Sequence, residues 1–463
     1  MAETYFSLVV WTDETDMNQF KDCLESIDEQ EYREFELYIL DNNPSNAIEV
    51  TIKEFFPDIV DKVHYRRLKK KNGMSYAYNI GAHFAEGDYL VYLGQHDRLS
   101  GKTLSSLNEK IDSLENKECI IYADHDELIG LDRKNPHFKP DFNKELFLQT
   151  DYIGDFICIS KSLMRRLGEF NEKAQTSTLY EYVLRALFKN EPIEHVPSLI
   201  YHKRTSNRAM NKEERTAANF YCKEHMALAV SYLRQNGVIC EGRIDNSLKK
   251  WHLDYDDSTF RRFSGDYMFL RDENVRLYTI NNVKKMYSYL CQPDVAVVGA
   301  RFIDRGFTID NIGYIYDTDG AWYPAFHGQS VFRNTYDGIG NMPRDVAVVD
   351  CGCCLIDAKV YRMLRGFDTR LTGQDAMFDF CLRARKRGYR IIALPRVIAR
   401  WKNRELITPT DNHDIIMEKH GEFVENGDMF YNKNLPIGME NYILPGTQEE
   451  KEDLDNISDG RVD

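Results

Sequence analysis

Residues 5–11 read YFSLVVW and residues 35–40 read FELYIL, and the stretch between them carries Phe20, Cys23, Leu24 and Ile27 at helical spacing. Two short β-rich apolar runs flanking an amphipathic helix specify a right-handed βαβ unit, and such units build a parallel sheet. The second run ends in Asp41-Asn42-Asn43-Pro44-Ser45. A polar turn at the carboxyl end of a strand is where open α/β sheets bind their ligands.

The same rhythm continues outward. VHYRRL at 63–68, a loop at Lys69–Gly73 and a helix over 74–85 lead to a strand Tyr89–Leu93 that ends in Gly94-Gln95-His96-Asp97. A helix over 101–115 then leads to a strand Cys119–Ala123 ending in Asp124-His125-Asp126. Acidic and polar ends thus recur on successive strands. Residues 213–236 read as one long helix closed by Asn236-Gly237, and it closes a first domain expected over 1–240.

An internal repeat sets the rest. Gly87-Asp88-Tyr89-Leu90 recurs as Gly265-Asp266-Tyr267-Met268, and each is followed by a strand, CIIYAD at 119–124 and VAVVGA at 295–300. Leu167-Gly168-Glu169-Phe170 recurs as Leu364-Arg365-Gly366-Phe367, and Tyr182-Val183-Leu184-Arg185 as Phe380-Cys381-Leu382-Arg383. Val196-Pro197-Ser198-Leu199-Ile200-Tyr201-His202 recurs as Leu394-Pro395-Arg396-Val397-Ile398-Ala399-Arg400. Only residues 238–264 precede the second copy, too few for the two βα cycles that precede Gly87. A truncated second copy is therefore expected over 255–405, with a C-terminal extension over 406–463. From about 446 that extension carries seven acids against two bases and reads as a disordered, solvating tail.

Composition narrows the function. Lys and Arg total 60 against 74 Asp and Glu, a formal charge of −14, which argues against a general nucleic-acid binder. No apolar run approaches the ~18 residues a membrane span needs, and MAETYFSLVV lacks a signal-peptide pattern, so the expected compartment is the cytoplasm. The ten cysteines form no CxxC frame and read as reduced core residues, including Cys351-Gly352-Cys353-Cys354. No GxGxxG follows the first strand, which weakens a dinucleotide-binding oxidoreductase reading.

Three stretches carry a family resemblance: Leu40-Asp41-Asn42, then Asn72-Gly73 through Asn79-Ile80-Gly81-Ala82 to Gly87-Asp88-Tyr89, then Tyr122-Ala123-Asp124-His125-Asp126-Glu127 with Pro136-His137-Phe138-Lys139-Pro140-Asp141-Phe142 and Asp151-Tyr152-Ile153-Gly154, and the pattern continues in Val196-Pro197 and Tyr201-His202-Lys203-Arg204. Over about 5–205 the sequence resembles the bacterial family 2 glycosyltransferases, specifically the two-domain enzymes of surface-polysaccharide and glycan assembly. The resemblance implies an α/β nucleotide-sugar fold called GT-A, followed here by a degenerate second copy. It also implies inverting sugar transfer from a UDP- or dTDP-sugar to a glycan, lipid-linked or glycoprotein acceptor. A divalent metal, Mn²⁺ or Mg²⁺, would stabilise the leaving diphosphate and a carboxylate would deprotonate the acceptor hydroxyl.

By position, the resemblance makes Asp41 the residue that recognises the nucleotide base, with Asn42, Asn72, Asn79, Gln95 and His96 among the nucleotide-sugar contacts. Asp97 falls on the last acid of the metal-binding motif, whose earlier positions are Gly94, Gln95 and His96, and His202 falls on a metal or phosphate ligand. The base position, counted back from Arg185, is Leu179, with Met377 in the second copy; Glu181 is the nearest carboxylate and the candidate base. Arg400 replaces His202 in the second copy, which therefore reads as an acceptor-binding, packing or dimerising domain. Peripheral attachment at the inner face of the membrane, and a homo-oligomer or a partner transferase, accompany this reading. The competing reading is a sugar-nucleotide-binding pseudoenzyme that partners an active transferase.

Overall fold

The computed structural model describes residues 3–68, 73–206, 211–246, 248–256, 266–333, 335–402 and 412–444. Asn72, Gly265 and the acidic tail from about 446 lie outside the described residues. Contacts divide the chain into two units, Met1–Phe142 with Thr150–Tyr232, and Asn143–Gln149 with Leu233 onward.

The first unit begins with β1 (Phe6–Thr12), α1 (Met17–Asp28), β2 (Phe35–Asp41), α2 (Ala47–Phe55), β3 (Val63–Arg67), α3 (Met74–Phe84) and β4 (Tyr89–Leu93). β5 (Arg98–Leu99), α4 (Thr103–Ser113), β6 (Ile120–Ile129) and β7 (Asp132–His137) follow. After α5 (Lys144–Phe147), which belongs to the second unit, come β8 (Ile157–Ser160), α6 (Lys161–Leu167), α7 (Thr178–Phe188), β9 (Ile193–Thr205) and α8 (Lys212–Gln235). The sheet order is β3-β2-β1-β4-β8-β6-β9-β5, with β7 a hairpin partner of β6. β1, β2, β3 and β4 run parallel, β8 is antiparallel to both neighbours, and β9 is parallel to β6. This is the GT-A arrangement.

The reason lies in burial. β1 and β2 are apolar on both faces because helices cover both sides of the sheet, so alternation disappears and continuous runs such as FSLVV remain. Phe6, Leu8, Val10, Leu37, Ile39 and Val91 form one core with Phe20, Leu24 and Ile27 of α1. Asp16 caps α1, its carboxylate accepting from the amides of Asn18 and Gln19 at 3.0 and 3.1 Å. On the other face Gly81 lets α3 approach β1, since a Cβ there would lie 2.7 Å from a Val9 methyl.

Two expectations change. The strand expected to stop at Ala123 runs on to Ile129, so Asp124, His125 and Asp126 lie within β6, paired with β9 across a bulge. The helix expected over 101–115 spans Thr103–Ser113.

The second unit starts with the hairpin β10 (Cys240–Asp245) and β11 (Lys250–Tyr255), in the stretch where the sequence signals no element. Then come β12 (Tyr267–Arg271), β13 (Val275–Leu277), α9 (Asn282–Leu290), β14 (Val295–Ile303), β15 (Ile309–Asn311), β16 (Tyr314–Tyr316) and β17 (Trp322–Pro324). β18 (Arg344–Asp345), β19 (Cys353–Asp357), α10 (Ala358–Met363), α11 (Gly373–Arg385), β20 (Arg390–Trp401) and α12 (His413–Val424) complete it. Its main sheet is β12-β19-β14-β20-β13.

Strand for strand and direction for direction, that order repeats β4-β8-β6-β9-β5. α9 stands between β13 and β14 as α4 stands between β5 and β6, and α11 precedes β20 as α7 precedes β9. Among the described residues the second unit repeats this half of the first unit's sheet and has no counterparts of β1, β2 and β3. Its ten cysteine-rich residues 345–354 are buried except Cys351, and every cysteine of the chain is a free thiol. No described helix is long and apolar enough to cross a membrane.

The inserted segment 143–149 completes the second unit through buried charge. The Arg390 guanidinium lies 2.9 Å from Asp294, 3.0 Å from Asp345 and 3.4 Å from Glu145, whose side chain is fully buried. Asn143 adds a pair of hydrogen bonds to the Asp345 backbone, at 2.8 and 3.0 Å. Removing one partner from such a cluster leaves uncompensated buried charge. Arg390→Leu is expected to lower unfolding free energy by about 3–5 kcal/mol in urea denaturation. The same change at exposed Arg276 on β13 should cost under about 0.5 kcal/mol.

Candidate functional site

The parallel strands β1, β2 and β4 end side by side, with Thr12 opposite Asp41 and Val10 opposite Leu93. β1 lies at the point where strand order reverses, so the loops after these strands diverge and leave a crevice.

Asp41 closes β2 and is fully buried. One oxygen accepts from the Thr12 hydroxyl at 2.9 Å and from the Asn43 amide and side chain at 2.9 and 2.8 Å; the other accepts from the Tyr65 hydroxyl at 2.7 Å. Asp41 therefore shapes the loop it sits in. From Asn43 the network passes to Thr15 at 2.9 Å and from Thr15 to the Gln95 side chain at 2.5 Å. Gln95 also pairs its amide with the Asp13 backbone, accepting at 3.2 Å and donating at 2.8 Å. His96 accepts from the Asp16 amide through Nε2 at 3.0 Å. Burial and the nearby Arg204 lower the His96 pKa while Asp16 raises it, and the net shift is downward, which keeps this imidazole neutral and able to accept at pH 7.

Asn42 is half-buried beside this network, its backbone amide donating to the Thr12 carbonyl at 2.8 Å. Asn79 is elsewhere: on α3 it clamps the backbone of Phe170, donating at 3.0 Å and accepting at 2.8 Å. That pairing accounts for Asn79 as a tie between α3 and the loop after α6 rather than as a group aimed into the crevice.

Asp97 is held by β9. Its carboxylate accepts from the Tyr201 hydroxyl and, at 2.8 Å, from the Arg204 backbone amide, while the Arg204 guanidinium donates to the His96 carbonyl at 2.9 Å and pairs with Asp22 at 2.9 Å. Burial raises the pKa of Asp97 against the opposing effect of those donors. A Cβ on Gly94 would come within 2.2 Å of the Asp97 carboxylate, so this loop has no room for an acidic side chain at 94.

Asp97 and His202, the expected metal ligands, each have partners within the first unit. Both Asp97 oxygens already accept hydrogen bonds, and His202 turns Nδ1 to Asp126 at 2.7 Å, which also takes Arg133 at 2.7 Å. Among the described residues no three His, Cys, Asp or Glu side chains are arranged to hold a metal ion. As a donor pair for a divalent metal, Asp97 and His202 supply one carboxylate and one imidazole, fewer anionic oxygens than a hard cation takes when the protein alone holds it.

Glu181, the candidate base, sits at the start of α7. It is 2% exposed on α7, pairs with Arg185 at 2.6 Å and accepts from the Tyr232 hydroxyl. Arg185 in turn donates to the carbonyls of Leu167 and Glu169 at 3.3 and 2.6 Å. The second unit has the same clamp: Asp379 pairs with Arg383, which donates to the carbonyls of Leu364 and Gly366 at 2.6 and 2.8 Å. In both copies the carboxylate–arginine pair ties a helix to the preceding loop, and Asp379 is met in addition by Lys419 and, at 2.9 Å, by His420. In this pairing Glu181 has no proton-accepting oxygen facing solvent.

Further groups gather where β6 and β9 meet. His195 bridges Asp124 at 2.9 Å and Asp141 at 3.0 Å and stacks on Tyr122. Buried Lys139 donates to the carbonyls of Ala123 and Ile153 at 2.6 and 2.7 Å, and burial lowers its pKa to about 8. Asp126, Tyr201 and Arg204 lie in stretches that carry the resemblance without being singled out as site residues, and His195 lies outside those stretches. The one available signal is the spacing Asp124-His125-Asp126, which on a strand puts both acids on one face.

Residues 18–168 match the family described as Glycosyl transferase family 2. The chain is 21% identical over 91% of its length to the uncharacterised protein y4gI of Sinorhizobium fredii, covering 56% of that protein. It is 24% identical over 41% of its length to the O-antigen biosynthesis protein RfbC of Myxococcus xanthus, covering 15% of it. The chain thus spans about half of the first relative and a smaller part of the second. Among solved structures, TarS of S. aureus superposes with a TM-score of 0.37 at 15% identity, over 50% of this chain and 74% of that one. The match to glycosyl transferase family 2 thus falls on the segment that builds most of the first unit's sheet.

Proposed function

We propose that the chain transfers a hexose, with inversion, from a UDP- or dTDP-linked donor to a glycan acceptor in bacterial surface or protein-linked glycan synthesis, on the cytoplasmic side of the membrane. The observation that carries this reading is the hydrogen-bonded network running from Asp41 through Asn43 and Thr15 to Gln95 at the carboxyl ends of β2, β1 and β4, within the family 2 match. In this reading Asp41 orders the wall against which the nucleotide base lies, and Gln95 and neutral His96 fix the loop that flanks the donor. The RfbC relative, named for O-antigen biosynthesis, supports the substrate class.

A second reading has its own support: a sugar-nucleotide-binding partner without turnover. Leu179 stands at the base position, and Glu181 and Asp97 are both committed to internal partners. Free UDP or dTDP release from a panel of UDP- and dTDP-hexoses, with glycan acceptor and with or without Mn²⁺, separates the two. Transfer gives release that depends on acceptor; donor binding without release selects the partner; neither binding nor release removes both.

The Asp97 environment also fixes a pH dependence. A carboxyl whose folded pKa is raised binds more protons folded than unfolded, so its contribution to stability falls as pH rises from the ordinary aspartate value through the raised one. Asp97→Asn removes that ionisation while keeping an acceptor for the Arg204 amide. The variant should therefore gain on the wild type as pH rises across this window and hold a constant advantage above it, measured by urea unfolding between pH 4 and 7. A variant that loses ground as pH rises would mean that Asp97 is held ionised by a favourable partner.

A further inference from the structure

The second unit contains a cavity of about 630 Å³ between the start of α9, the β10–β11 hairpin and the middle of β20. Its charged lining is lopsided: Arg243, Lys284, Lys285, Arg301 and Arg396 face one carboxylate, Asp254. Asp254 is shared by Arg243 at 2.6 Å and Arg396 at 3.7 Å. Among the described residues no carboxylate pairs with Lys284, Lys285 or Arg301.

Arg301 is the informative one. Among the described residues its buried Nε has no hydrogen-bond partner, and the guanidinium makes a long hydrogen bond of 3.4 Å to Asn341. Burial, with Arg344 nearby, lowers its pKa to about 10, so a charged guanidinium is held here without a counter-ion. The N-terminus of α9 opens on the same cavity at Asn281, whose side chain makes no capping bond, so the helix contributes unsatisfied amide dipoles of the sign that attracts anions.

Comparison of the copies shows where the charge came from. The β6–β9 pairing shifts register after Ala123, and the next residue is Asp124; the β14–β20 pairing shifts after Ala300, and the next residue is Arg301. Val196-Pro197-Ser198 of β9 is matched by Leu394-Pro395-Arg396 of β20. At both positions the second copy holds an arginine, in one case in place of an acid. Planar guanidinium groups present paired donors that match phosphate oxygens.

We infer that this cavity binds a phosphate- or diphosphate-bearing ligand, which on the transfer reading above is the anionic end of the acceptor. A cavity of this size takes a diphosphate with an attached sugar. The first copy, with Asp124 and Ser198 at the matched positions, would not hold the same anion.

The test is calorimetric titration of the full chain with inorganic pyrophosphate at low salt, for wild type, Arg301→Gln, Arg396→Gln and Asp41→Ala. Each arginine variant should weaken binding by about tenfold or more, and Asp41→Ala should leave it unchanged. Thermal unfolding of Arg301→Gln and Arg396→Gln verifies that each variant is folded, and Arg396→Gln, on the half-exposed residue, keeps the test open should Arg301→Gln fail to fold. Vesicles of phosphatidylcholine with and without a polyprenyl diphosphate distinguish the sources: capture of wild type that Arg301→Gln and Arg396→Gln lose assigns the site to a lipid-linked diphosphate, and its absence with pyrophosphate binding intact assigns it to a soluble one. No pyrophosphate binding to wild type, binding that both arginine variants retain, or binding abolished by Asp41→Ala overturns the proposal. Pyrophosphate binding of the expected pattern without nucleotide release in the donor panel would leave this site standing and remove the transfer reading instead.

Discussion

β1 is buried on both faces and hydrogen-bonded on both edges, to β2 on one side and β4 on the other, and the remaining architecture of the first unit depends on that double pairing. It brings three strand ends together and sets the crevice at the reversal of strand order. In the second unit β12 occupies the place of β4, but it is the terminal strand of its sheet and its residues are exposed or half-buried. Among the described residues the same half-sheet is thus built twice, once with three further parallel strands beside it and once without counterparts of them.

The copies have diverged in charge more than in backbone. The loop-tying pairs Glu181–Arg185 and Asp379–Arg383 keep the same geometry, because each satisfies the carbonyls of a tight loop and holds a helix beside it. Residues not needed for that job have drifted: His202 is matched by Arg400, Ser198 by Arg396 and Asp124 by Arg301. In the first unit the acids at the strand ends are enclosed by hydroxyls, amides and histidines. In the second, arginines face a cavity with little negative charge to meet them.

Much of this arrangement is legible in the sequence. Apolar runs locate β1, β2, β3, α3 and β4 within a residue or two, and the spacing of Phe20, Cys23, Leu24 and Ile27 marks α1, since helices covering both sheet faces leave a strong signal. The repeated GDY motif and the paired VPSLIYH and LPRVIAR segments locate the second half-sheet and its truncation. What the sequence conceals is contact between distant residues. Nothing local announces that Asn143–Gln149 belongs with Asp345 and Arg390, or that β10 and β11 pair. For the candidate site residues the sequence marks positions and conceals partners: Asp41 and Gln95 share a network through Asn43 and Thr15, and Asn79, Glu181 and His202 meet Phe170, Arg185 and Asp126. Hydrogen-bond partners that arrive from another strand leave no trace in a motif.

The central claim is that a nucleotide crevice exists in the first unit alone. A crystal structure of the full chain soaked with UDP tests it most directly. The account predicts nucleotide density at the carboxyl ends of β1 and β2, beside the loop that Asp41 orders. A uridine ring seated beside Asp272, at the end of β12, with the first unit empty would contradict it.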